Sequence, residues 1–240
     1  LWFRVPLHDV HCGLRAFRRE WQLGLGQRCT GMEFATEMVI KASKFHSRIT
    51  EIPITLHPDR RGRRPHLRTW RDGWRHLRFY LMYSPRWLFL IPGILLMLAG
   101  AAIYWYASPP DGRFVGGIRL DVHTLLFASL AIICGYQALL FAVMTKTFAI
   151  REGLMPEDPR LTRMYRWLNL ETGLLAGTLA FIAGLALLGT AIAHWWSQGF
   201  GALDYTRTMR IVIPGMTLTT LGFQTVLSSF FLSILGMRSR

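Results

Sequence analysis

The sequence predicts the tail of an α/β domain, then an amphipathic interfacial helix, then four transmembrane α-helices arranged as two hairpins. Three observations carry that expectation. Four long apolar segments fill the C-terminal two-thirds of the 240 residues; a basic, Trp-studded stretch from Arg60 to Arg86 leads into the first; and the residues before it alternate strand-like and helix-like patterns.

Trp2 to Leu7 and Cys12 to Phe17 read as short strands around a turn at His8 to His11. Thr30-Gly31-Met32-Glu33 has the spacing of a capping box and opens a helix to about Phe45, with Phe34, Met38, Ala42 and Phe45 as its buried stripe. Ile52, Ile54 and Leu56 alternate with polar residues or proline, a strand that Pro53 moves towards a sheet edge. The chain opens in an apolar LWFRVPL without an initiator Met. The residues before the first span could bury only a small core, so an upstream segment is expected to complete this domain.

From His66 the spacing changes. Leu67, Trp70, Trp74, Leu77 and Leu81 form the stripe of an amphipathic helix, while Arg68, Arg71, Asp72, Arg75 and Arg78 fill the other face. Such a helix lies in the bilayer interface; a soluble helix burying its Trp stripe in a core is the alternative. A shorter repeat of the pattern, Leu161, Met164 and Leu168 with Arg160, Arg163 and Arg166, occurs in the middle link.

Trp87 to Tyr106, Asp121 to Met144, Thr172 to Trp195 and Ile211 to Gly236 are each close to the roughly 20 residues that cross about 30 Å of hydrocarbon. Lys and Arg crowd the region before the first span and the link between the second and third, and are sparse in the two hairpin loops. The positive-inside bias therefore puts both termini and the middle link in the cytoplasm. A faint internal repeat relates the hairpins: Gly135-Tyr136-Gln137 recurs as Gly222-Phe223-Gln224, 87 residues on, and Ala99-Gly100 as Ala183-Gly184, 84 residues on. Gln137 and Gln224 are expected to join helix to helix rather than to bind a substrate. No Lys, Arg, Asp or Glu lies near the middle of a span, which argues against an ion-coupled transporter.

The formal net charge of +14 is concentrated beside the spans and mixed with Trp, the pattern of contact with anionic lipid headgroups, so nucleic acid is not the expected partner. Cys12, Cys29 and Cys134 form no CxxC pair and no even set, so reduced thiols are expected. His8 and His11 alone are too few for a zinc site.

The chemistry should then lie in the first 85 residues, in three constellations. The first is His8-Asp9-Val10-His11-Cys12-Gly13-Leu14-Arg15, a carboxylate on a turn followed by a Gly and by an Arg suited to phosphate. The second is Glu33 and Glu37, one helical turn apart, where capping and a Glu37–Lys41 pair offer structural explanations. The third is Pro58-Asp59-Arg60-Arg61-Gly62-Arg63-Arg64-Pro65-His66, a bent loop able to wrap a phosphate with guanidinium contacts, or simply attracted to lipid.

The first segment resembles the Asp-x-x-(Ser/Cys)-Gly-(Phe/Leu)-Arg motif of family 2 glycosyltransferases of the dolichol-phosphate mannose synthase and polyprenyl-phosphate glucosyltransferase type. The resemblance continues through Gly31 to Met38, Glu51-Ile52-Pro53-Ile54 and the run from His57 to His76, and departs where Arg-Pro-His neighbours replace the family's Ser-Lys after Gly62. It implies an α/β remnant at residues 1–64, the C-terminal part of a GT-A-like catalytic domain. An interfacial helix at 65–85 and a four-helix membrane domain at 86–240 would follow. It further implies Asp9 and Arg15 as catalytic residues, Arg60, Arg61, Arg63 and His66 around the acceptor phosphate, and Glu33 as a secondary site candidate. The implied reaction moves a sugar from a nucleotide-sugar donor to a polyprenyl (dolichyl or undecaprenyl) phosphate at the cytoplasmic face of the bilayer. A divalent metal, Mg²⁺ or Mn²⁺, is expected, held mostly outside this chain, because the family's Asp-x-Asp half has no match here; the 240 residues alone are expected to be inactive. A homo-oligomer is compatible with the sequence. The alternative is a non-catalytic membrane module that handles or flips lipid-linked sugars.

Overall fold

A computed structural model describes residues 5, 7–10, 12–31, 33–55, 57, 68–109, 113–167 and 169–236, with backbone only at 69, 113, 115, 118, 166 and 167. The elements are α1 (Arg19–Gly24), α2 (Phe34–Lys44), α3 (Thr69–Met82), α4 (Arg86–Ala107), β1 (Arg113–Val115), β2 (Ile118–Leu120), α5 (Val122–Arg151), α6 (Pro159–Trp167), α7 (Leu170–Ser197) and α8 (Tyr205–Gly236). They divide into two compact units. One holds Leu1–Pro85 with Ala149–Glu157, the other Arg86–Phe148 with Asp158–Arg240.

In the first unit α2 is the centre. Thr36 to Ala42 are all buried, so the helix is covered on more than the single expected stripe, while Phe34 and Phe45 at its ends stand out in solvent. Its start also differs from the expected capping box. Glu33 occupies the N-cap in a helical conformation and makes no side-chain capping bond; its carboxylate turns instead to Arg75. No ladder forms at Cys12–Phe17 or at 51–55 among the described residues. A strand exists only where a neighbour offers N–H and C=O groups, and no described segment pairs with these two. Ile52 and Ile54 are accordingly exposed. The expected Trp2–Leu7 strand lies mostly outside the described residues, as does Leu56.

The second unit holds four helices long and apolar enough to cross a membrane: α4, α5, α7 and α8. The expected spans fall inside them except for Asp121, which precedes α5, and α8 begins earlier, at Tyr205, drawing Arg207 and Arg210 into the helix. The first five residues of α4, Arg86–Leu90, form a π turn before regular α geometry starts at Ile91. Pro92 follows at once; it has no N–H to give, so the ladder is already broken at that point. Asn169 caps α7 by accepting from Thr172 N at 2.8 Å. Between α4 and α5 a β-hairpin pairs Arg113 with Leu120, Phe114 with Arg119 and Val115 with Ile118. Gly116 and Gly117 make its two-residue turn at φ +55 and +83, values a residue with a Cβ rarely adopts.

The internal repeat marks how each hairpin closes. A Cβ on Gly93 would sit 2.9 Å from Gly135 O, and one on Gly100 2.8 Å from Ala128 O. The second hairpin uses the corresponding positions: a Cβ on Gly177 would sit 3.0 Å from Gly222 O, and one on Gly215 3.3 Å from Gly184 O. Gly177 and Gly184 follow Gly93 and Gly100 by 84 residues, and Gly222 and Gly215 follow Gly135 and Ala128 by 87. Apolar burial gives no drive to associate in lipid, so close backbone approach at small residues supplies the contact.

Helices α5 and α8 run parallel and are joined by hydroxyls: Ser129 to Thr217, and Tyr136 Oη to Thr225 Oγ1 at 2.6 Å. The expected glutamine cement is not used among the described residues, and Gln224 Oε1 is buried without a hydrogen-bond partner. The chemistry expected of the amides is done by the residues beside them. At the hairpin-loop end Ala107, Val122, Leu125 and Ile213 form a small core, closed by Arg210, which pairs with Asp121 at 2.8 Å and donates to Ser108 O at 2.7 Å.

In the link after α5, Lys146 pairs with Asp158 and Thr147 bonds Tyr165, so α6 is tied down at both ends. Leu161 and Met164 on α6 are half-buried; Leu168 lies outside the described residues.

Candidate functional site

The turn at His8 to Val10 is held from two directions. Glu51 Oε1 accepts the N–H of His8 at 2.8 Å and of Asp9 at 3.3 Å, and its Oε2 lies 2.7 Å from His8 Nδ1. From the other side Arg15 donates to three carbonyls: Nη2 to Val10 O at 2.6 Å, Nε to Cys12 O at 2.9 Å and Nη1 to Ala35 O at 2.8 Å. The last of these fastens the turn to the first residues of α2, next to Glu33. Asp9 is exposed at the top of the turn. The His8–Glu51 contact raises the His8 pKa through the hydrogen bond first and the negative charge second, and the same hydrogen bond lowers that of Glu51.

Glu33 is not an open acid. Its side chain is 9% exposed and sits 2.8 Å from Arg75 Nε. Burial pushes its pKa upward, but its own backbone N–H and the Arg75 guanidinium prevail, and the carboxyl titrates below its ordinary range. A Cβ at Gly31 would meet the ends of the Arg75 and Glu33 side chains, so a larger residue there would have to displace the ion pair.

Glu37 and Lys41 form the expected pair, now within the core. Glu37 accepts from Arg28 N at 3.1 Å, Cys29 N at 2.8 Å and Tyr83 Oη at 2.8 Å, and Lys41 Nζ donates to Leu25 O at 3.0 Å and Gly26 O at 2.6 Å. Burial opposes ionisation of Glu37, yet these donors hold its pKa at about 2. The Cys29 thiol is pushed up to about 11 by burial and by Glu37, so it stays protonated and unreactive at neutral pH.

On α3, Asp72 and Phe79 are buried and Arg75 turns to Glu33, although the sequence pattern put Asp72 and Arg75 on the outer face. Asp72 is drawn in because it accepts from Arg68 N at 2.8 Å and caps its own helix. Trp70, 91% exposed, and Trp74, 62% exposed, are left outside with Leu77. Among the described residues no core covers these rings.

Of the residues expected at the site, Asp9 and Arg15 fall on the turn and beside it, and Glu33 is the N-cap of α2, to which Arg15 joins the turn through Ala35 O. Arg60, Arg61, Arg63 and His66 lie outside the described residues, as does His11. No three His, Cys, Asp or Glu side chains converge into a metal-binding group among the described residues. The sequence reading passed over Glu51, Arg75 and Tyr83 as partners. Glu51 and Asp9 are separated by 42 positions, and no spacing rule connects them.

Four helices long and apolar enough to cross a membrane, preceded by a small unit with an arginine-fastened acidic turn and a Trp-faced helix, define a multi-pass membrane protein. Residues 143–236 match the model of the glycosyltransferase family 2 C-terminal transmembrane region. Over 241 aligned residues, 98% of this chain, it is 33% identical to the low-salt glycan biosynthesis hexosyltransferase Agl6 of Haloferax volcanii, covering 55% of that protein. The chain thus belongs to the family 2 glycosyltransferases, as a C-terminal portion of such a protein, and spans about half the length of the curated relative it matches. No solved structure is significantly similar to it.

Proposed function

We propose that these residues form the acceptor side and membrane anchor of a glycosyltransferase that moves a hexose from a nucleotide sugar onto a polyprenyl phosphate at the cytoplasmic face of the bilayer. The supporting observation is the fastened Asp9 turn beside α2, in a unit whose α3 leaves Trp70 and Trp74 exposed and runs within a few residues of the first membrane span. The hexose is suggested by the relative's name, and the cytoplasmic orientation by the distribution of Lys and Arg.

In the proposed reaction a phosphate oxygen of the lipid attacks the anomeric carbon of the sugar, the bond to the donor phosphate breaks, and a nucleotide leaves with that electron pair. No general base is required, because a phosphate monoester has a second pKa of about 6 and is largely dianionic at neutral pH. Asp9 orients rather than deprotonates. Arg15 holds the turn through three carbonyls and adds positive charge near it; Arg60, Arg61, Arg63 and His66 would receive the lipid phosphate at headgroup height. The residues described here do not assemble a site for the expected Mg²⁺ or Mn²⁺, whose ligands would lie mainly elsewhere in the protein.

The test is transfer of radiolabelled hexose from nucleotide sugars to polyprenyl phosphate by the full-length protein in proteoliposomes. Formation of a lipid-linked sugar supports the reading. Binding or translocation of such a lipid with no transfer under any donor would replace it with a lipid-handling role.

A further inference from the structure

Two consecutive backbone amides, those of His8 and Asp9, point at one oxygen of a single carboxylate, Glu51 Oε1, at 2.8 and 3.3 Å. Glu51 comes from a segment more than forty positions away. Arg15 takes the carbonyls on the far side of the same turn, Val10 and Cys12. With N–H groups bound on one side and C=O groups on the other, the backbone on which Asp9 sits has little freedom, and the direction in which its side chain leaves the chain is set.

We propose that Glu51 is a positioning residue for Asp9, acting through the two amides. This rests on the reading of Asp9 as a residue of the transfer site. The ion-pair half of the contact is secondary: His8 is fully exposed, and pairs of that kind contribute little in water. Amide-to-carboxylate bonds are charge-assisted and directional. Glu51 belongs to the Glu-Ile-Pro-Ile stretch, in which Pro53 disfavours a helical conformation at Ile52, the residue after Glu51.

The experiment compares wild type, Glu51→Ala, Glu51→Gln and His8→Ala in the full-length protein in nanodiscs, reading amide hydrogen exchange along the chain and steady-state transfer kinetics. Loss of a charge-assisted bond should raise exchange of the His8 and Asp9 amides about tenfold or more in Glu51→Ala. The turnover number should fall by about the same factor while the acceptor KM stays within about twofold, as expected when orientation rather than binding is lost. Glu51→Gln keeps a carbonyl acceptor but loses the charge, so it should fall between wild type and Glu51→Ala, whereas His8→Ala keeps the carboxylate and should stay within about threefold of wild type.

Unchanged exchange at the turn in Glu51→Ala overturns the proposal. So does a rise spread through α2, which would mark a folding role, or faster exchange with unaltered turnover. If the wild type shows no transfer with any donor while Glu51→Ala still loosens the turn, the transferase reading fails and the clamp itself stands.

Discussion

Glu37 and Lys41, one turn apart on α2, form an ion pair of 3.0 Å with side chains 0% and 1% exposed. So deep a pair stabilises a fold only when every remaining donor and acceptor is met, and here the surrounding backbone and Tyr83 meet them. The pair therefore organises its neighbours: through Glu37 the 28–29 loop and the end of α3 share one carboxylate, and through Lys41 the end of α1 is capped.

Removing one partner should unfold the N-terminal unit. Lys41→Met leaves Glu37 buried with its three hydrogen-bond donors but without its counter-charge, at a cost of about 3–5 kcal/mol. The Glu37 pKa is lowered from 4.5 to about 2, so its contribution is present above about pH 4.5 and is lost as pH falls towards 2. Acid should thus expose Cys29 before it disturbs the membrane helices. Reaction of Cys29 with a dipyridyl disulfide, which is activated by protonation and so works in acid, checks this in a Cys12→Ser, Cys134→Ser background; a rate that only parallels that of a free thiol from about pH 5 to about pH 2.5 contradicts it.

The paired glycine crossings predict parallel effects in the two hairpins. Gly100→Leu and Gly184→Leu each drive a side chain into the facing helix and should destabilise by about 1–3 kcal/mol. Gly189→Leu, where a Cβ meets nothing within 4 Å, should be tolerated. Thermal unfolding in detergent separates the cases, and equal melting of all three variants would deny the crossings their role.

The membrane spans were legible because hydropathy and length act on long windows, and the glycine repeat because close packing selects the same small residue twice. The Glu37–Lys41 pair was legible for a similar reason, being fixed by helical period alone. Glu33 was misread: its spacing fits a capping box, but Arg75, distant in sequence, is the stronger partner for a buried carboxylate. The strands at Cys12–Phe17 and 52–55 failed as expectations because alternation reports a preference for a sheet, not the presence of a neighbouring strand. The turn clamp by Glu51 has no local signal at all.

The exposed rings of α3 should work at the bilayer surface. Trp70→Asp with Trp74→Asp removes two large amphipathic side chains from that face and should lower transfer in bilayers more than in an assay with a short soluble lipid analogue. Equal losses in both assays would mean that the rings serve packing in the full-length protein.

The basic loop should act through phosphate charge. Arg61→Ala with Arg63→Ala in the full-length protein should raise the acceptor KM about tenfold or more, a charge-assisted hydrogen bond contributing about 1.5–3 kcal/mol. If membrane association weakens while kinetics in detergent stay the same, the loop is only attracted to lipid.

Asp9 offers the sharpest division between orienting and proton-abstracting chemistry. A sugar hydroxyl acceptor would need its proton removed as the new bond forms, so a base would have to titrate in the rate profile. A phosphate acceptor brings its own charge, and the acidic limb of the profile should follow ionisation of the acceptor near pH 6. Asp9→Asn should therefore lower the maximal rate, because the group held on the clamped turn has lost its charge, while leaving that limb in place. An acidic limb that vanishes in Asp9→Asn at a fixed acceptor would make Asp9 the titrating base and discard the orienting role.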